Sequence, residues 1–157
     1  MQLTSPVIKQ GGEIPSRYTS DGENISPELS WQNAPAETKS FALVVHDPDA
    51  PMPGGFTHWL VYNIPSEATQ LAENVPNKEQ LEGVGLQGKN DGKKIGYIGP
   101  APPSGTHRYF FRLFALDKLL DIPPGVDHKQ LNAAIAGHIL AQYELMGTYE
   151  KKSERAA

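Results

Sequence analysis

Several residue patterns are missing from this chain of 157 residues, and each absence excludes a class of protein. The chain has no cysteine, which excludes disulfides and thiolate chemistry. No run approaches the roughly twenty apolar residues of a membrane span, and the N-terminus lacks the basic segment and apolar run of a signal peptide. The net charge is −4, without the clustered Lys and Arg of a nucleic-acid surface. The sequence therefore predicts a soluble, cytoplasmic protein with no nucleic-acid partner.

Glycine and proline, in contrast, are abundant. The 15 Gly and 14 Pro residues, together with 38% hydrophobic residues, are typical of a loop-rich globular protein and not of a helical bundle. The length suits one domain with a substantial core, and no repeat or linker divides the chain. We therefore expect a single domain over residues 1–157, with a polar tail from about residue 150.

Most of the chain predicts short strands separated by turns. Residues 41–45 are a continuous apolar run bounded by Ser40 and by Asp47-Pro48, which is typical of a central strand buried on both faces. Residues 59–64 and 109–116 have the same character, and shorter strands are predicted over residues 3–8 and 29–31. Because glycine and proline separate these strands, the pattern favours a mostly β fold, an antiparallel β-sandwich, over a doubly wound sheet with a helix after each strand.

Two segments predict helix. Residues 78–81 fit a single helical turn, and residues 127–146 fit a longer helix near the C-terminus, with Asp127 as its N-cap and Gly147 as its stop. Steps of three and four residues place one set of side chains on a shared face of that helix. The set is Leu131, Ala134, Ile135, His138, Ile139, Gln142 and Leu145.

Two proline-bearing segments carry the residues best suited to chemistry. The first is Asp47-Pro48-Asp49-Ala50-Pro51, followed by His58-Trp59, and the second runs from Gly99-Pro100-Ala101-Pro102-Pro103 to His107-Arg108-Tyr109. Proline fixes its own φ and restricts the residue before it, so such loops hold side chains in fixed directions. Two carboxylates, two imidazoles and a phenol held in this way indicate a recognition pocket for a small polar group.

The two carboxylates of the first segment allow more than one interpretation. Asp47 could orient a histidine, accept the proton of a monohydrogen phosphate or pair with an amine of the ligand. The alternative is that Asp47 and Asp49 cap backbone N–H groups of a turn. Beside His58 and His107 we favour a binding role for Asp47, and we include Asp49 as a second candidate.

Both histidines of these segments are candidate ligand contacts. His58 and His107 can donate to phosphate oxygens, and an anion between them would raise their pKa values by favouring the charged form. We therefore expect tighter anion binding below about pH 6.5, where free histidine is protonated. The pattern gives His46 and His128 structural roles, whereas His138 could belong to the core, a pocket wall or an interface.

Strand alternation separates Arg108 from its neighbours. Because side chains alternate along a strand, Tyr109 faces the same way as His107, and Arg108 faces away. Arg108 is then expected to form a structural ion pair, for which the Asp residues of the first segment are the candidates. The Gly99–Pro103 stretch, including Pro102, is expected to be a rigid wall in which only Gly99 and Ala101 have an N–H to offer.

Aromatic residues near these segments could form a rim or belong to the core. Phe56, Trp59 and Tyr97 are the candidates, and we favour a core position for Trp59.

Taken together, the segments Asp47–Pro51 and Gly105–Tyr109 resemble the two signature regions of the phosphatidylethanolamine-binding protein family, which includes the Raf kinase inhibitor proteins. The stretches 21–27, 58–65 and 137–149 are similar to its short bacterial and archaeal branch, in the same order. The resemblance implies a β-sandwich with a C-terminal helix and short helical turns. It also implies that Asp47, His58, His107 and Tyr109 line an anion pocket. The C-terminus is shorter than in the eukaryotic members, so control by a longer C-terminal segment is not expected.

The resemblance also implies functions. Family members bind phosphate-like groups, and some inhibit kinases or serine proteases, so we expect a non-enzymatic anion-binding protein that needs no cofactor. Short bacterial relatives are often homodimers, which implies a homodimer here. Two alternatives remain open: a hydrolase that uses Ser104 or Thr106, although no Gly-x-Ser-x-Gly turn is present, and a metal-binding protein, although the i, i+4 histidine spacing is absent.

Overall fold

The computed structural model describes residues 2–151. The polar tail predicted from about residue 150 therefore falls mostly outside the described residues. The elements, in chain order, are β1 (Leu3–Thr4), a 3₁₀ turn (Ser16–Tyr18), β2 (Leu29–Trp31), β3 (Ser40–Asp47), β4 (Phe56–Pro65), β5 (Gln70–Leu71), β6 (Gln80–Leu81), β7 (Gly85–Gln87), β8 (Thr106–Leu116), α1 (His128–Ile135) and β9 (Ile139–Glu150).

These strands form two antiparallel sheets, which confirms the predicted antiparallel β-sandwich. The smaller sheet has the order β1-β2-β5, and the larger has the order β6-β7-β4-β3-β8-β9. Three adjacent strands of the larger sheet, β4, β3 and β8, contain the apolar runs that predicted strands. No helix within residues 2–151 is long and apolar enough to cross a membrane.

The central strand β3 is buried on both faces, as its uninterrupted apolar run predicted. Phe41, Leu43 and Val45 contribute to the core between the two sheets. Ala42 and Val44 contribute to a second core, which α1 covers with Leu131 and Ile135. Strand β8 differs from the prediction because its exposure alternates along the strand, so only one of its faces is continuously buried.

The predicted helix over residues 127–146 is wrong in its second half. Asp127 caps α1 as expected, in a capping box with Gln130. However, α1 ends at Ile135, and Gly137 has a φ of +82°, a left-handed conformation that glycine adopts without strain. Residues 139–150 then pair with β8 along its length. This pairing with a distant strand overrides the local helical periodicity of the segment.

Gly147 is consequently a strand residue and not a helix stop. It lies opposite Tyr109 in the β8–β9 pair. A Cβ at Gly147 would lie 2.6 Å from Cγ1 of Ile14, which is fully buried. Close packing by the N-terminal segment therefore requires a glycine here.

Two smaller predictions also need correction. The first strand, predicted over residues 3–8, ends at Thr4 because Ser5-Pro6 follows, and proline cannot donate to a ladder. The helical turn predicted over residues 78–81 is absent, since Gln80–Leu81 pairs with β7 as a short strand.

Candidate ligand-binding site

A cavity of about 290 Å³ lies where β3, β4 and β8 meet the proline-rich segment. We call it the His107 pocket. Of the eight predicted site residues, all except Asp49 line it. Its lining comprises Asp47, Ala50, Pro51, Met52, Phe56, His58, Ile98, Gly99, Ala101, Pro102, Pro103, His107 and Tyr109.

A β-bulge directs His58 into this pocket. In the β3–β4 ladder, Val45 pairs with Trp59 but His46 pairs with Thr57, so His58 is an extra residue on β4. A bulge interrupts the alternation of side chains across the sheet. As a result His58 reaches the side of the sheet that carries Tyr109, and their ring centroids are 5.3 Å apart.

Asp47 acts on His107 and on its own loop. Its Oδ2 lies 2.7 Å from Nδ1 of His107, and both side chains are almost fully buried. Its Oδ1 accepts a hydrogen bond from the backbone N–H of Asp49 at 2.7 Å. The Asp47 carboxylate therefore does two of the things predicted for it, because one oxygen orients His107 and the other caps the turn.

His58 is held by the backbone of the opposite wall. Its Nδ1 lies 2.7 Å from the carbonyl oxygen of Ile98, which can only accept, so Nδ1 carries the proton. Burial lowers the pKa of His58 below its ordinary value. At pH 6.5 the neutral form of the His58 ring therefore predominates over the charged form.

The hydrogen bonds of the two histidines fix what they offer to a ligand. Each ring uses Nδ1 within the protein, His58 toward Ile98 and His107 toward Asp47. Each neutral ring consequently presents Nε2 as an acceptor. A neutral ring at either position is thus a base that accepts a proton or a hydrogen bond at Nε2.

The Tyr109 hydroxyl is buried and makes no hydrogen bond of normal geometry within residues 2–151, although the Asp47 carboxylate lies close enough to interact with it weakly. Burial raises the pKa of Tyr109, and the negative charge of Asp47 raises it further. The phenol is therefore neutral and able to donate. A buried polar group without a partner is costly, so this hydroxyl marks the place where the pocket lacks a hydrogen-bonding group.

Asp49 does not line the pocket, contrary to its inclusion among the predicted site residues. Its carboxylate accepts from the Arg108 backbone N–H at 2.9 Å, from Nε at 2.9 Å and from Nη2 at 2.8 Å. The Arg108 guanidinium lowers the pKa of Asp49 to about 2. The structural ion pair expected for Arg108 is thereby confirmed, and it ties the Asp47–Pro51 loop to β8.

The proline-rich wall is supported from behind by the loop at residues 16–27. Asn24 Oδ1 accepts the N–H of Gly99 at 2.7 Å, and the N–H of Ser20 donates to the Pro100 carbonyl at 3.0 Å. A Cβ at Gly99 would lie 2.5 Å from the Tyr18 carbonyl oxygen. The Gly99 N–H is therefore unavailable to a ligand. Of the two wall N–H groups predicted from the sequence, that of Ala101 remains.

The apolar part of the pocket was only partly anticipated. Trp59 belongs to the core as predicted, Tyr97 is also buried there, and Phe56 forms the rim, with its ring centroid 4.8 Å from that of His58. Met52 is 42% exposed beside the opening. The only sequence signal for Met52 was its position directly after Pro51.

The other three histidines lie in surroundings that differ from those predicted. His138 is not on a helix face, because it follows α1 and its Nδ1 bonds to Oδ1 of Asp117 at 2.8 Å. His46 and His128, which the pattern assigned to structural roles, meet at a second cavity on the other face of the sheet. Within residues 2–151, no group of three or more His, Asp or Glu side chains is arranged to hold a metal ion.

The fold and the pocket define a class of protein, namely an antiparallel β-sandwich with a preformed pocket at the ends of its central strands. A family model described as phosphatidylethanolamine-binding protein matches residues 4–150. The chain therefore belongs to the phosphatidylethanolamine-binding protein family.

Individual relatives are similar over nearly the whole chain. The UPF0098 protein of Methanothermobacter thermautotrophicus is 50% identical over 96% of this chain and 99% of its own length. The UPF0098 protein of Aquifex aeolicus is 46% identical over 96% of this chain and 89% of its own length.

Two solved structures share the fold. A phosphatidylethanolamine-binding protein homologue from Chlamydia trachomatis has a TM-score of 0.84 at 43% identity, covering 96% of this chain and 97% of that chain. Escherichia coli YbcL, described as a member of the mammalian family, has a TM-score of 0.87 at 31% identity, covering 96% and 98%.

Proposed function

We propose that this protein binds a small anion, phosphate or a phosphomonoester-like group, in the His107 pocket without transforming it. The observation that carries the proposal is the convergence of His58, His107 and the unpartnered Tyr109 hydroxyl on one buried cavity. The ring centroids of His107 and His58 lie 6.4 Å and 5.3 Å from that of Tyr109. Phosphate oxygens would supply the acceptor that the Tyr109 hydroxyl lacks.

Anion binding should depend on the protonation state of the pocket and of the ligand. When an imidazole is neutral its Nε2 is an acceptor, and the lone pair of Nε2 does not bind an anion. The complex therefore needs a proton between Nε2 and the anion, either on the ring or on the anion, as in the O–H of monohydrogen phosphate or of a phosphomonoester below its second pKa of about 6. Affinity should therefore rise as the pH falls.

The size and walls of the pocket restrict the ligand. A cavity of about 290 Å³ admits a phosphate group with a small substituent. The rim formed by Phe56, Met52 and the prolines is apolar, so the substituent should be apolar or uncharged where it leaves the pocket.

Calorimetry tests the proposal directly. Phosphate and phenyl phosphate, a monoester with an apolar substituent, would be titrated at several pH values between about 6 and 8, and their affinity should rise as the pH falls. His107→Ala should abolish binding, whereas His138→Ala, which removes an exposed histidine elsewhere, should not change it. Absence of binding to the wild type would refute the proposal, and an affinity that does not change with pH would refute the need for a protonated group in the complex.

The non-enzymatic character rests on the lack of an attacking group at the pocket. The oxygen and nitrogen groups that line it are a carboxylate bonded at both oxygens, two imidazoles, a phenol and backbone atoms. Ser104 and Thr106 are not among its lining residues. Incubation with phosphomonoesters and simple esters should give no product, and turnover that His107→Ala abolishes in a folded protein would favour the hydrolase alternative instead.

Regulation of a protein target is a further part of the proposal. The resemblance suggested inhibition of a kinase or a serine protease, and the exposed Met52 beside the pocket opening offers a contact for such a partner. Inhibition assays with representative kinases and serine proteases would test it. An inhibitory effect that competes with phosphate would link the partner surface to the His107 pocket.

A further inference from the structure

A second and larger cavity, of about 600 Å³, lies on the opposite face of the strands that form the His107 pocket. It is bounded by the ends of β3 and β4, by the loop at residues 89–93 and by the start of α1. We call it the His128 pocket. Asp47 faces the His107 pocket, whereas its neighbour His46 faces the His128 pocket, as strand alternation requires.

A chain of hydrogen bonds forms the floor of the His128 pocket. Nε2 of His46 lies 2.8 Å from the Gly54 carbonyl oxygen, and its Nδ1 lies 3.0 Å from Thr57 Oγ1. Nδ1 of His128 lies 2.7 Å from the same hydroxyl oxygen. Thr57 is fully buried, and its own N–H donates to Oδ2 of Asp91 at 2.7 Å.

This chain has one consistent arrangement of protons when both rings are neutral. The Gly54 carbonyl can only accept, so Nε2 of His46 carries a proton and its Nδ1 is an acceptor. The single hydroxyl proton of Thr57 must then point to His46. Thr57 Oγ1 in turn accepts from Nδ1–H of His128, which leaves Nε2 of His128 as an unprotonated acceptor.

The environment of His128 keeps this acceptor available. Burial lowers the pKa of His128, and the neighbouring His46 lowers it further. The two ring centroids are 5.4 Å apart. Nε2 of His128 has no hydrogen-bond partner within residues 2–151, and the residue lines the cavity.

Three lysines surround the same cavity. Lys89, Lys93 and Lys129 are exposed and line it, and none forms an ion pair with another residue of the described part of the chain. The two carboxylates at the cavity are already engaged in part, Asp91 by the N–H of Thr57 and Asp127 by the N–H of Gln130. The cationic groups are therefore the ones most available to a ligand.

We propose that the His128 pocket is a second ligand site, for a small hydroxyl-bearing organic anion of the sugar phosphate class. The lysines contact the anionic group, and a ligand hydroxyl donates to Nε2 of His128. The lining of the site is mostly polar, in contrast to the apolar rim of the His107 pocket. Inorganic phosphate carries its O–H on the anionic group itself, whereas a sugar phosphate carries hydroxyls at a distance from that group and can contact the lysines and Nε2 of His128 at the same time.

Nuclear magnetic resonance can test the site without interference from the His107 pocket. The protein would carry His107→Ala and ¹⁵N-labelled histidine, and glucose 6-phosphate, inorganic phosphate and glucose would be titrated separately. The ring nitrogens of His46 should show the Nε2–H tautomer and those of His128 the Nδ1–H tautomer. Glucose 6-phosphate should shift the His128 signals saturably at millimolar concentration and more tightly than inorganic phosphate or glucose alone.

Variants separate the two contacts. His128→Ala should weaken glucose 6-phosphate about threefold to tenfold, the effect of one lost hydrogen bond, and should reduce its advantage over phosphate. Lys129→Gln and Lys93→Gln should weaken both anions, while Lys39→Gln, an exposed lysine away from the cavity, should not. If His128→Ala fails to fold, Thr57→Val removes the hydroxyl that sets the tautomer, and the lysine variants decide independently.

The outcomes are distinct. Equal affinity for phosphate and glucose 6-phosphate would overturn the role of His128. The absence of a saturable shift up to about 20 mM glucose 6-phosphate, a concentration that would saturate a millimolar complex, would overturn the site. Because the His107→Ala background lacks the first pocket, either result leaves the function proposed for that pocket unaffected.

Discussion

At the scale of single residues, the hydrogen bonds of ring nitrogens decide what each histidine offers. His58, His107 and His128 each use Nδ1 inside the protein, toward a carbonyl, a carboxylate and a hydroxyl respectively. Their Nε2 atoms are then the ligand-facing groups. The Nε2 atom of each of these histidines therefore accepts a hydrogen bond when the ring is neutral and donates one only after the ring is protonated.

Replacement of Tyr109 by Phe should separate stability from binding. In the ligand-free protein the hydroxyl is buried without a partner in the described part of the chain, so its removal should leave the free energy of unfolding unchanged or raise it by up to about 1 kcal/mol. Phosphate affinity should fall about threefold to tenfold, because one hydrogen bond is lost. Urea denaturation with and without phosphate measures both effects. A loss of stability above about 1 kcal/mol would mean that the hydroxyl has a partner before ligand binds.

The Asp49–Arg108 pair should stabilise the protein in a pH-dependent way. The folded-state pKa of Asp49 is about 2, below its usual value of 3.8, so the contribution is complete above that usual value and is lost as the pH falls toward 2. Asp49→Asn should lower the free energy of unfolding at pH 7 by no more than about 1 kcal/mol, because the pair is partly exposed to solvent. The difference from wild type should shrink between pH 5 and pH 3 in urea denaturation. Asp121→Asn, which removes another exposed carboxylate, is the control, and a gap independent of pH would contradict the assignment.

At the scale of elements, strand β9 occupies sequence that has the periodicity of a helix. Ile135 lies in α1 and is 4% exposed, whereas Ile139 begins β9 and is 44% exposed. A single helix would have buried both on one face. The difference in exposure between Ile135 and Ile139 therefore distinguishes a helix followed by a strand from the single helix that the sequence predicted.

Aspartate at each of these positions gives a matched pair of variants. Ile135→Asp should destabilise by more than about 2 kcal/mol, because a charge would be buried without a partner in the core beneath α1. Ile139→Asp should change the free energy of unfolding of the monomer, measured at a dilution at which any dimer dissociates, by less than about 0.5 kcal/mol, as expected for a surface position. Urea denaturation of the two proteins measures the contrast, and equal losses would indicate that both positions are buried.

At the scale of the whole molecule, one pair of strands serves two cavities. The extra residue His58 on β4 brings an imidazole to one face, while Thr57 stays on the other face with His46. The His107 pocket therefore lies on the side of the core between the sheets, and the His128 pocket lies on the side covered by α1. The larger sheet separates the two proposed ligands.

The homodimer implied by the resemblance stays a prediction. Strand β9 is the outer strand of the larger sheet, and its first residues Ile139 and Leu140 are 44% and 37% exposed. Such an edge can pair with a second copy. Sedimentation should give about 34 kDa, twice the chain mass of 17.1 kDa, and Ile139→Asp should weaken the assembly. A wild-type monomer at high concentration would refute the dimer, and a dimer unaffected by Ile139→Asp would place the interface elsewhere.

The sequence by itself determined the features that depend on local chemistry. The run at residues 41–45 indicated a strand buried on both faces, and alternation placed His107 and Tyr109 together with Arg108 directed away. Proline restricts backbone angles wherever it occurs, so the stiff loops beside Asp47 and Gly99 could be recognised without a structure.

The tertiary structure decided whatever depends on contacts between distant residues. Pairing with β8 made residues 139–150 a strand. A register shift of one residue directed the side chain of His58 toward the His107 pocket. Each Nδ1 partner is likewise distant in sequence, from Ile98 for His58 to Thr57 for His128. A sequence pattern records propensity and periodicity along the chain, whereas sheet register and hydrogen-bond partners follow from how separate segments pack. The polar residues of the His107 pocket could therefore be predicted, but the proton positions that set its chemistry, and the existence of the His128 pocket, could not.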